Sequence, residues 1–483
     1  MRWPAHGAAL SLLSTLFAGQ LAAQQLDITR APRLSEPAPL KIPQVHRTTL
    51  PNGLTLYVIE QHEVPVVQLV LSVNGGGRSD ESTPGLATFT ANMLDEGADT
   101  LDAFGIAARV AYLGAELSTD ADWDQTLVSI KVPAKSLDPA AALMATVALK
   151  PTFPAEEVQR QRDLRLAAIL QERDQPQVVA ANAFNALVYP AGHPYHKPLT
   201  GDSAATVRLN SSVVRGFYRR VFRPDQATII ASGDITLAQA QRVIAREFGS
   251  WRARSAQAAK SSSRTTVNAT SGPRTVYLVD KPGAAQSVIV IGHPGVDRRS
   301  PDFYALQVMN TLLGGSFSAR LNYNLRETKG YTYGAFSRFE YRPLAGPFSA
   351  RAAVRTDVTD SSLVEFFREL GSIRDSLVPD DELRRAKAFI ALQLPGQFET
   401  ASGLATQLSE LLKFGLSLEY YRNYIPRIMA VPAAEVQRVA RRYLRPDQVS
   451  VVVVGDLQKT RAGVTALNLG PAKIVDMEGN PTK

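Results

Sequence analysis

Cysteine is absent from the 483-residue chain, which excludes a disulfide framework and a lipid-modified cysteine. Histidine is scarce, with six in all. No apolar run reaches the ~20 residues that a membrane-spanning helix needs. No Lys/Arg run with interleaved aromatic residues occurs, so the net charge of +8 indicates a generally positive surface rather than nucleic-acid binding.

The first 23 residues have the pattern of a cleaved signal peptide. Arg2 supplies the positive charge, residues 8–21 are mostly apolar, and Leu21-Ala22-Ala23 resembles a cleavage site. We therefore expect an exported, periplasmic protein, with an uncleaved hydrophobic anchor as the alternative. Residues 24–45 are rich in proline and lack periodicity, so we expect a tether.

From residue 46 onwards the pattern changes to that of a folded domain. Runs of strands are followed by runs of helices, which is typical of α+β layers rather than of alternating βα units. The predicted strands are residues 50–59, 66–73 and an extended region at 115–132, and the predicted helices are residues 84–93, 103–113, 139–149 and 154–171.

An internal repeat divides the chain. Residues 219–234 return as residues 441–456, so that Arg445-Pro-Asp-Gln repeats Arg223-Pro-Asp-Gln at an offset of 222 residues. This period is too long for a solenoid and predicts two homologous domains. Duplicated domains that are joined by a linker often close on each other and leave a cavity between them. The predicted boundaries are a first domain at 46–252, a linker at 253–272, a second domain at 273–458 and a tail at 459–483.

One stretch of the second domain combines several signals. Residues 314–316 (Gly-Gly-Ser) predict a turn and a helix N-cap, and Gly330 predicts the helix stop. Arg326 then lies in the last helical turn and Tyr333 near the start of a strand. Such a cation and phenol suit a peptide carbonyl, and a helix-end charge beside a core aromatic ring is the ordinary alternative. The spacing predicts one helical stripe (Phe317, Leu321, Leu325) and one aromatic strand face (Tyr331, Tyr333, Ala335, Phe339, Tyr341).

Three segments occur in order along this repeated chain: Leu50-Pro-Asn-Gly-Leu-Thr-Leu56, Gly85–Met93 and Leu313–Tyr333. With them, residues 46–457 resemble the pitrilysin/insulinase superfamily of zinc metallopeptidases, the inverzincins with a His-x-x-Glu-His motif. The first segment is similar to the first strand of that family, the second to its zinc-bearing helix, and the third to the matching part of its second domain. The resemblance implies two domains in a clamshell, each a mainly antiparallel sheet packed with helices.

The zinc-binding residues of active family members are missing. Their His-Phe-Leu-Glu-His motif corresponds here to Thr88-Phe-Thr-Ala91-Asn92, and their glutamate ligand to Ala168, which follows Asn92 after 75 intervening residues. By this correspondence, Thr88 and Asn92 stand in place of the two histidine ligands. Ala91 stands in place of the general base, and Ala168 in place of the glutamate ligand. Zinc needs His, Cys or carboxylate donors, so we expect no zinc in this chain.

A relocated metal site is the alternative that the remaining donors leave open. His193-Pro-Tyr-His196 is the one close histidine pair, with Asp202 at the end of its loop, but the prolines favour a rigid structural loop. Glu172 and Asp174 follow the position of Ala168 and are expected at a solvated helix end.

The second domain, by contrast, keeps the family's other functional pair. In the family, an arginine and a tyrosine seven residues later reach the substrate near the zinc, and Arg326 and Tyr333 match that spacing, whereas Tyr331 is two residues off. The family also binds extended peptides at a sheet edge, for which Gly114–Asp120 is the matching segment. An ordinary edge strand protected by charges is the alternative there.

These likenesses imply a non-catalytic subunit of a bacterial heterodimeric peptidase, similar in role to the alpha subunit of mitochondrial processing peptidase. That subunit's glycine-rich loop is longer than Leu313–Ser316. The zinc is expected in a homologous partner, whose peptide substrate this chain contacts through Arg326 and Tyr333. The alternatives are a peptide-binding or assembly protein without a role in proteolysis, and a self-sufficient peptidase with a relocated metal.

Overall fold

A computed structural model describes Pro37 and residues 40–253 and 271–482 of the chain. The predicted signal peptide, most of the predicted tether and nearly all of the predicted linker lie outside these residues. The first described strand begins at Val45, next to the position at which the sequence places the start of the folded part.

The described residues contain two six-stranded sheets and a short two-stranded pair. The strands of the first half are β1 Val45–Thr49, β2 Thr55–Glu60, β3 Val66–Asn74, β4 Gly97–Ala98, β5 Leu101–Asp102, β6 Glu116–Ala121, β7 Gln125–Pro133 and β8 Ala227–Gly233. Those of the second half are β9 Thr275–Asp280, β10 Gln286–Pro294, β11 Thr332–Phe339, β12 Pro347–Arg355, β13 Ser450–Gly455 and β14 Ala472–Val475.

Helices follow the strands in each half. In the first half they are α1 Leu86–Asn92, α2 Ala103–Leu113, α3 Leu137–Leu149, α4 Ala155–Glu172, α5 Pro176–Val188, α6 Ser203–Val207, α7 Ser211–Val221 and α8 Leu237–Phe248. In the second half they are α9 Phe303–Asn310, α10 Arg320–Asn322, α11 Thr359–Asp375, α12 Asp380–Gln393, α13 Ala401–Phe414, α14 Tyr424–Met429, α15 Ala433–Tyr443 and α16 Leu457–Ala466. The predicted α+β class is confirmed.

The two sheets repeat one topology. The first has the order β1-β2-β8-β3-β7-β6, and the second, read from its other edge, β14-β9-β13-β10-β12-β11. Neighbouring strands are antiparallel, except that β8 is parallel to β2, and β13 and β14 are parallel to β9. Five strands of each sheet therefore correspond, and the sequence repeat is a repeat of structure.

The sixth strand differs between the sheets. In the first sheet, β1 precedes β2 and pairs with it antiparallel through a tight hairpin. In the second sheet, the corresponding edge is β14, which comes from the C-terminal end of the chain. Residues 459–483, which the sequence suggests are a tail, thus include most of α16 and complete the second sheet.

The central strands are buried on both faces. In β13, Val451 and Val453 face the core formed with α9, α11 and α15, whereas Val452 and Val454 face a second cluster that contains residues of α5. A strand covered on both sides requires apolar residues at consecutive positions rather than at alternate ones. This requirement explains the unbroken run of four valines.

The helix on the far face of each sheet is supplied by the other half of the chain. α5, from the first half, packs on β10 and β13, and α13, from the second half, packs on β3 and β8. The Ser232 hydroxyl donates to the carbonyl oxygen of Ala401 at 2.7 Å. The halves are therefore interlocked by exchanged helices as well as joined by the predicted linker, which the sequence repeat alone did not reveal.

Across the described residues, no helix is long and apolar enough to cross a membrane.

Candidate functional site

α1 carries three of the four positions at which the resemblance places metal-site residues. It begins after Gly85, whose φ of +86° is left-handed, and the Asp80 carboxylate accepts hydrogen bonds of 2.7 Å from two backbone N–H groups of its first turn. Thr88 and Ala91 are buried, and Asn92 is exposed. The Thr88 hydroxyl donates to the Gly85 carbonyl oxygen at 3.0 Å, so its proton serves the helix itself.

α4 places a guanidinium group against Thr88. Ala168, the fourth position, is exposed on α4, and Arg165 lies one turn before it. The Arg165 Nη1 atom is 3.0 Å from the Gly85 carbonyl oxygen, 3.1 Å from Thr88 Oγ1 and 3.4 Å from the Thr200 carbonyl oxygen. Arg165 therefore links α4 to α1 and to the loop before α6. In active relatives, as the resemblance implies, a metal ion links the same two helices.

Burial and nearby charges define the electrostatics of this link. The Arg165 guanidinium also lies 5.0 Å from the centre of the Phe89 ring. Burial lowers the pKa of Arg165 to about 10, against the opposing effect of the Asp80 charge. Burial likewise raises the pKa of Asp80 to about 7, although backbone N–H groups and Arg165 oppose that rise. At neutral pH the site thus holds a full positive charge and a partly neutralised carboxyl group.

The residues present do not fit a zinc ion. A zinc site requires three or four His, Cys or carboxylate donors. No cluster of three or more such residues suited to a metal occurs in the part of the chain that the structure describes. The cationic Arg165, in contact with Thr88 Oγ1, also repels any divalent ion placed there. The four positions are Thr88, Ala91, Asn92 and Ala168.

The histidine pair belongs to a structural loop. His193 is buried and its Nδ1 atom accepts a hydrogen bond of 3.1 Å from the backbone N–H of Tyr195, while His196 Nδ1 lies 2.8 Å from the carbonyl oxygen of Tyr189. Burial lowers the pKa of His193 to about 4, so the ring is neutral at pH 7. Asp202 caps α6 by accepting a hydrogen bond of 2.8 Å from a backbone N–H. These contacts fit the structural interpretation of the loop.

The end of α4 does not form a metal site either. Asp174 is solvated and pairs with Lys281 at 3.1 Å. Glu172 and Asp174 take part in no metal-type cluster within the described ranges.

Arg326 lies on an irregular helix in the second half. α10 continues from Tyr323 to Thr328 as wider π-helical turns, which often mark functional sites. The helix ends at Gly330, whose φ of +64° confirms the predicted stop. The Arg326 guanidinium lies over the Phe317 ring at 4.5 Å and its Nε atom is 3.5 Å from a Glu327 carboxylate oxygen, with 35% of its side chain exposed.

Two details of this stretch differ from the sequence prediction. The helix cap is Ala319 rather than Ser316, because the chain between α9 and α10 first forms a π-helical turn. Of the predicted stripe, Leu321 and Leu325 are buried, but Phe317 is 63% exposed and packs against Arg326 instead of the core.

Tyr333 stands at the start of β11. The pairing of β11 with β12 shifts register between Thr332 and Ala335, so a β-bulge breaks the alternation of faces. Ala335 and Phe339 are buried as the parity predicts, but Tyr333 is 89% exposed. The prediction of one continuous aromatic face is therefore wrong at Tyr333. In the described residues, no hydrogen bond joins Arg326 to Tyr333, so both side chains keep donors for another molecule.

The segment predicted to offer a peptide-binding edge does lie at a sheet edge. β6 pairs with β7 on one side and is the last strand of the first sheet. α1 packs against β6. Glu116 forms a 3.2 Å ion pair with Lys131 of β7, so this edge also carries the charge that protects ordinary edge strands.

The arrangement described so far recurs in known proteins. Residues 56–200 match the family described as Insulinase (Peptidase family M16), and residues 208–390 match the Peptidase M16 inactive domain. An uncharacterized zinc protease of Mycobacterium bovis is 26% identical over 421 residues, covering 86% of this chain and 94% of the relative. A Helicobacter pylori protein named a non-peptidase homolog is 20% identical over 404 residues, covering 83% and 92%.

A solved structure has the same fold. The crystal structure of a peptidase M16 inactive domain from Pseudomonas fluorescens matches with a TM-score of 0.79 at 24% identity, covering 85% of this chain and 98% of that one. The chain belongs to the M16 insulinase family of peptidases, and its residues 208–390 match the domain that is described as inactive. Arg165 is the residue of this site that sequence reasoning missed. The sequence does place this arginine three residues before Ala168, which puts both residues on one face of the same helix.

Proposed function

We propose that this chain is the non-catalytic subunit of a heterodimeric zinc peptidase that degrades or processes peptides. One observation carries the proposal: the four metal-site positions offer no donor set and Arg165 contacts one of them, while Arg326 and Tyr333 remain solvent-accessible. A homologous partner subunit supplies the zinc ion and the general base.

The proposed roles of Arg326 and Tyr333 follow from their chemistry. A guanidinium and a phenol both donate hydrogen bonds, and in the described residues Arg326 and Tyr333 are not hydrogen-bonded to each other. When a peptide carbonyl is attacked, negative charge develops on its oxygen, and donors aimed at that oxygen stabilise the transition state. In the proposed dimer the pair acts on a substrate whose attacking water is activated in the partner subunit.

The open edge of β6 supports a second contact with substrate. An extended peptide can add to such an edge through backbone hydrogen bonds, which makes binding tolerant of sequence. A substrate engaged in this way must be unfolded, so the proposed substrates are peptides and unfolded segments. We further propose that the mature protein acts in the periplasm after removal of residues 1–23, which N-terminal sequencing of the exported protein tests.

Mixing experiments test the function. The chain, a zinc-bearing homologue and their mixture are each assayed on quenched fluorescent peptides. We expect little turnover by the chain alone and a large gain on mixing. No gain from mixing over a range of concentration ratios contradicts the proposal.

The second candidate is a peptide-binding or assembly protein outside proteolysis. The name of the Helicobacter pylori relative, a non-peptidase homolog, favours this function as much as the first. It predicts peptide binding by the isolated chain without any effect on a homologue's turnover, which the same mixtures measure.

A further inference from the structure

A groove lies where the exchanged helix α5 leaves part of the second sheet uncovered. α5 packs on β10 and β13, and the outer faces of β11 and β12 continue beyond it. Between the helix and these strands is a cavity of about 400 Å³. This volume falls in the range of small-molecule sites, about 300–1,000 Å³.

The floor of the groove is set by strand register. Val290 of β10, Arg351 of β12 and Phe336 of β11 are directly paired neighbours, so their side chains form one row on the outer face. Phe184 of α5 closes one side, and a Cβ at Gly292 would lie 2.7 Å from its ring. The floor of the groove thus places Arg351 between two apolar side chains, Val290 and Phe336, and 46% of Phe336 is exposed.

Polar side chains around this floor have no partner within the described part of the protein. The Arg351 guanidinium makes no hydrogen bond or ion pair there, and neither do the amides of Gln177 and Asn185 or the Ser349 hydroxyl; all four line the cavity. The nearby Glu340 carboxylate is shared by Arg338 and Arg342. Burial lowers the pKa of Arg351, the charge of Arg338 adds to this effect, and the charge of Glu340 opposes it. The groove therefore presents a partly desolvated cation that has no direct ion pair among the described residues, beside hydrogen-bonding groups without protein partners there.

The first half of the chain shows that the fold does not require these residues. In the first sheet the corresponding row is Val70, Ser129 and Ser118, with the same pairing. Arginine and phenylalanine thus stand in the second half where two serines stand in the first. Since the same backbone forms with serines, Arg351 and Phe336 are additions to the scaffold.

We propose that this groove binds a carboxylate carried on an apolar group. Arg351 holds the carboxylate, with the amides of Gln177 and Asn185 within the same cavity, and the apolar group lies on Phe336, Val290 and Phe184. Either the C-terminal residue of a peptide or a free apolar acid offers this chemistry. The proposal does not depend on the proposed role in proteolysis.

Calorimetric or NMR titration of the full chain tests it. The probes are an N-acetylated tripeptide ending in phenylalanine with a free carboxylate, the same peptide as its C-terminal amide, and 3-phenylpropionate. We expect the acid peptide to bind at least about tenfold more tightly than the amide, because a charge-assisted hydrogen bond is lost in the amide. Saturable binding of 3-phenylpropionate assigns the site to apolar acids in general, and binding of the peptide acid alone assigns it to peptide C-termini.

Two substitutions in the groove, Arg351→Ser and Phe336→Ser, test whether the probes bind there. Arg351→Ser installs the residue of the first half and is expected to weaken binding at least about tenfold with the fold intact, whereas Arg385→Ser, on the exposed surface of α12, leaves it unchanged. Phe336→Ser is expected to weaken both acids while keeping the preference for acid over amide. Equal binding of acid and amide, no binding of any probe, or an unchanged affinity in Arg351→Ser overturns the proposal.

Discussion

Replacement of Arg165 by alanine is the most informative change at the vacated metal site. The side chain contributes hydrogen bonds to the Gly85 carbonyl oxygen at 3.0 Å and to Thr88 Oγ1 at 3.1 Å, and a cation–π contact at 5.0 Å with Phe89. Losing two hydrogen bonds from a charged donor and one partly buried ring contact costs about 2–4 kcal/mol of the free energy of unfolding.

The assay follows from the position of the tryptophans. The chain has three, and only Trp123 and Trp251 lie beyond the predicted signal peptide, both in the first half. Urea unfolding followed by tryptophan fluorescence therefore reports on the half that contains Arg165. Arg160→Ala is the matched control, because Arg160 lies on the same helix, is about half exposed, and pairs with Glu157 and with the mostly buried Glu96, to which Gln161 also donates. Ion pairs of a solvent-exposed guanidinium contribute at most about 1 kcal/mol each.

The comparison of the two variants tests whether the Arg165 guanidinium links α1 to α4. If Arg165→Ala destabilises the protein no more than Arg160→Ala does, the guanidinium does not link α1 to α4 as described. A second readout is the pKa of Asp80, which Arg165 holds down against the effect of burial. We expect that pKa to rise further in Arg165→Ala, and NMR titration of the carboxyl carbon measures it.

Three further predictions concern metal, pH and helix termination. Restoring the family's four metal-site residues is expected to give no stoichiometric zinc by elemental analysis while Arg165 remains, and to give zinc once Arg165→Leu is added; zinc uptake with Arg165 present contradicts this. The folded pKa of His193 is about 4, below its ordinary 6.5, so the unfolded chain takes up the proton first and stability is lost as the pH falls from 6.5 towards 4. His193→Gln is thus expected to reduce the loss of unfolding free energy between pH 7 and pH 5 by about 2 kcal/mol, and an unchanged loss in parallel urea titrations refutes it. Gly330→Ala is expected to cost about 1 kcal/mol through its left-handed conformation alone, because no atom lies within 4 Å of the added Cβ; a much larger loss in the same assay argues against that cause.

Local signals in the sequence predicted local structure well. The bounds of α2 are those predicted from its periodicity, and the left-handed Gly330 ends its helix as expected. The repeat around Arg223 and Arg445 predicted two related domains, and the common strand order of the two sheets shows that relation directly. These features depend on neighbouring residues or on self-similarity, both of which the sequence displays.

The remaining features depend on contacts between distant segments. The exchange of α5 and α13 places each helix on a sheet of the other half, and nothing in the periodicity of a helix specifies which sheet it covers. The bulge between Thr332 and Ala335 takes Tyr333 off the strand face that it would share with Ala335 and Phe339 under strict alternation. The contact of Arg165 with Thr88 joins residues that are 77 positions apart, and nothing in the periodicity of α4 specifies it.

The most direct test of the central claim is the turnover of the mixed subunits with Arg326 or Tyr333 altered in this chain. The measurement is the kcat of peptide hydrolysis by a zinc-bearing homologue mixed with the unaltered chain, with Arg326→Ala or with Tyr333→Phe, with complex formation confirmed for each. If this chain supplies transition-state contacts, both variants assemble normally and kcat falls at least about tenfold, as expected when one donor to the developing oxyanion is lost. If kcat is unchanged in fully assembled mixtures, Arg326 and Tyr333 do not act on the partner's substrate, and this chain is not a subunit that supplies transition-state contacts.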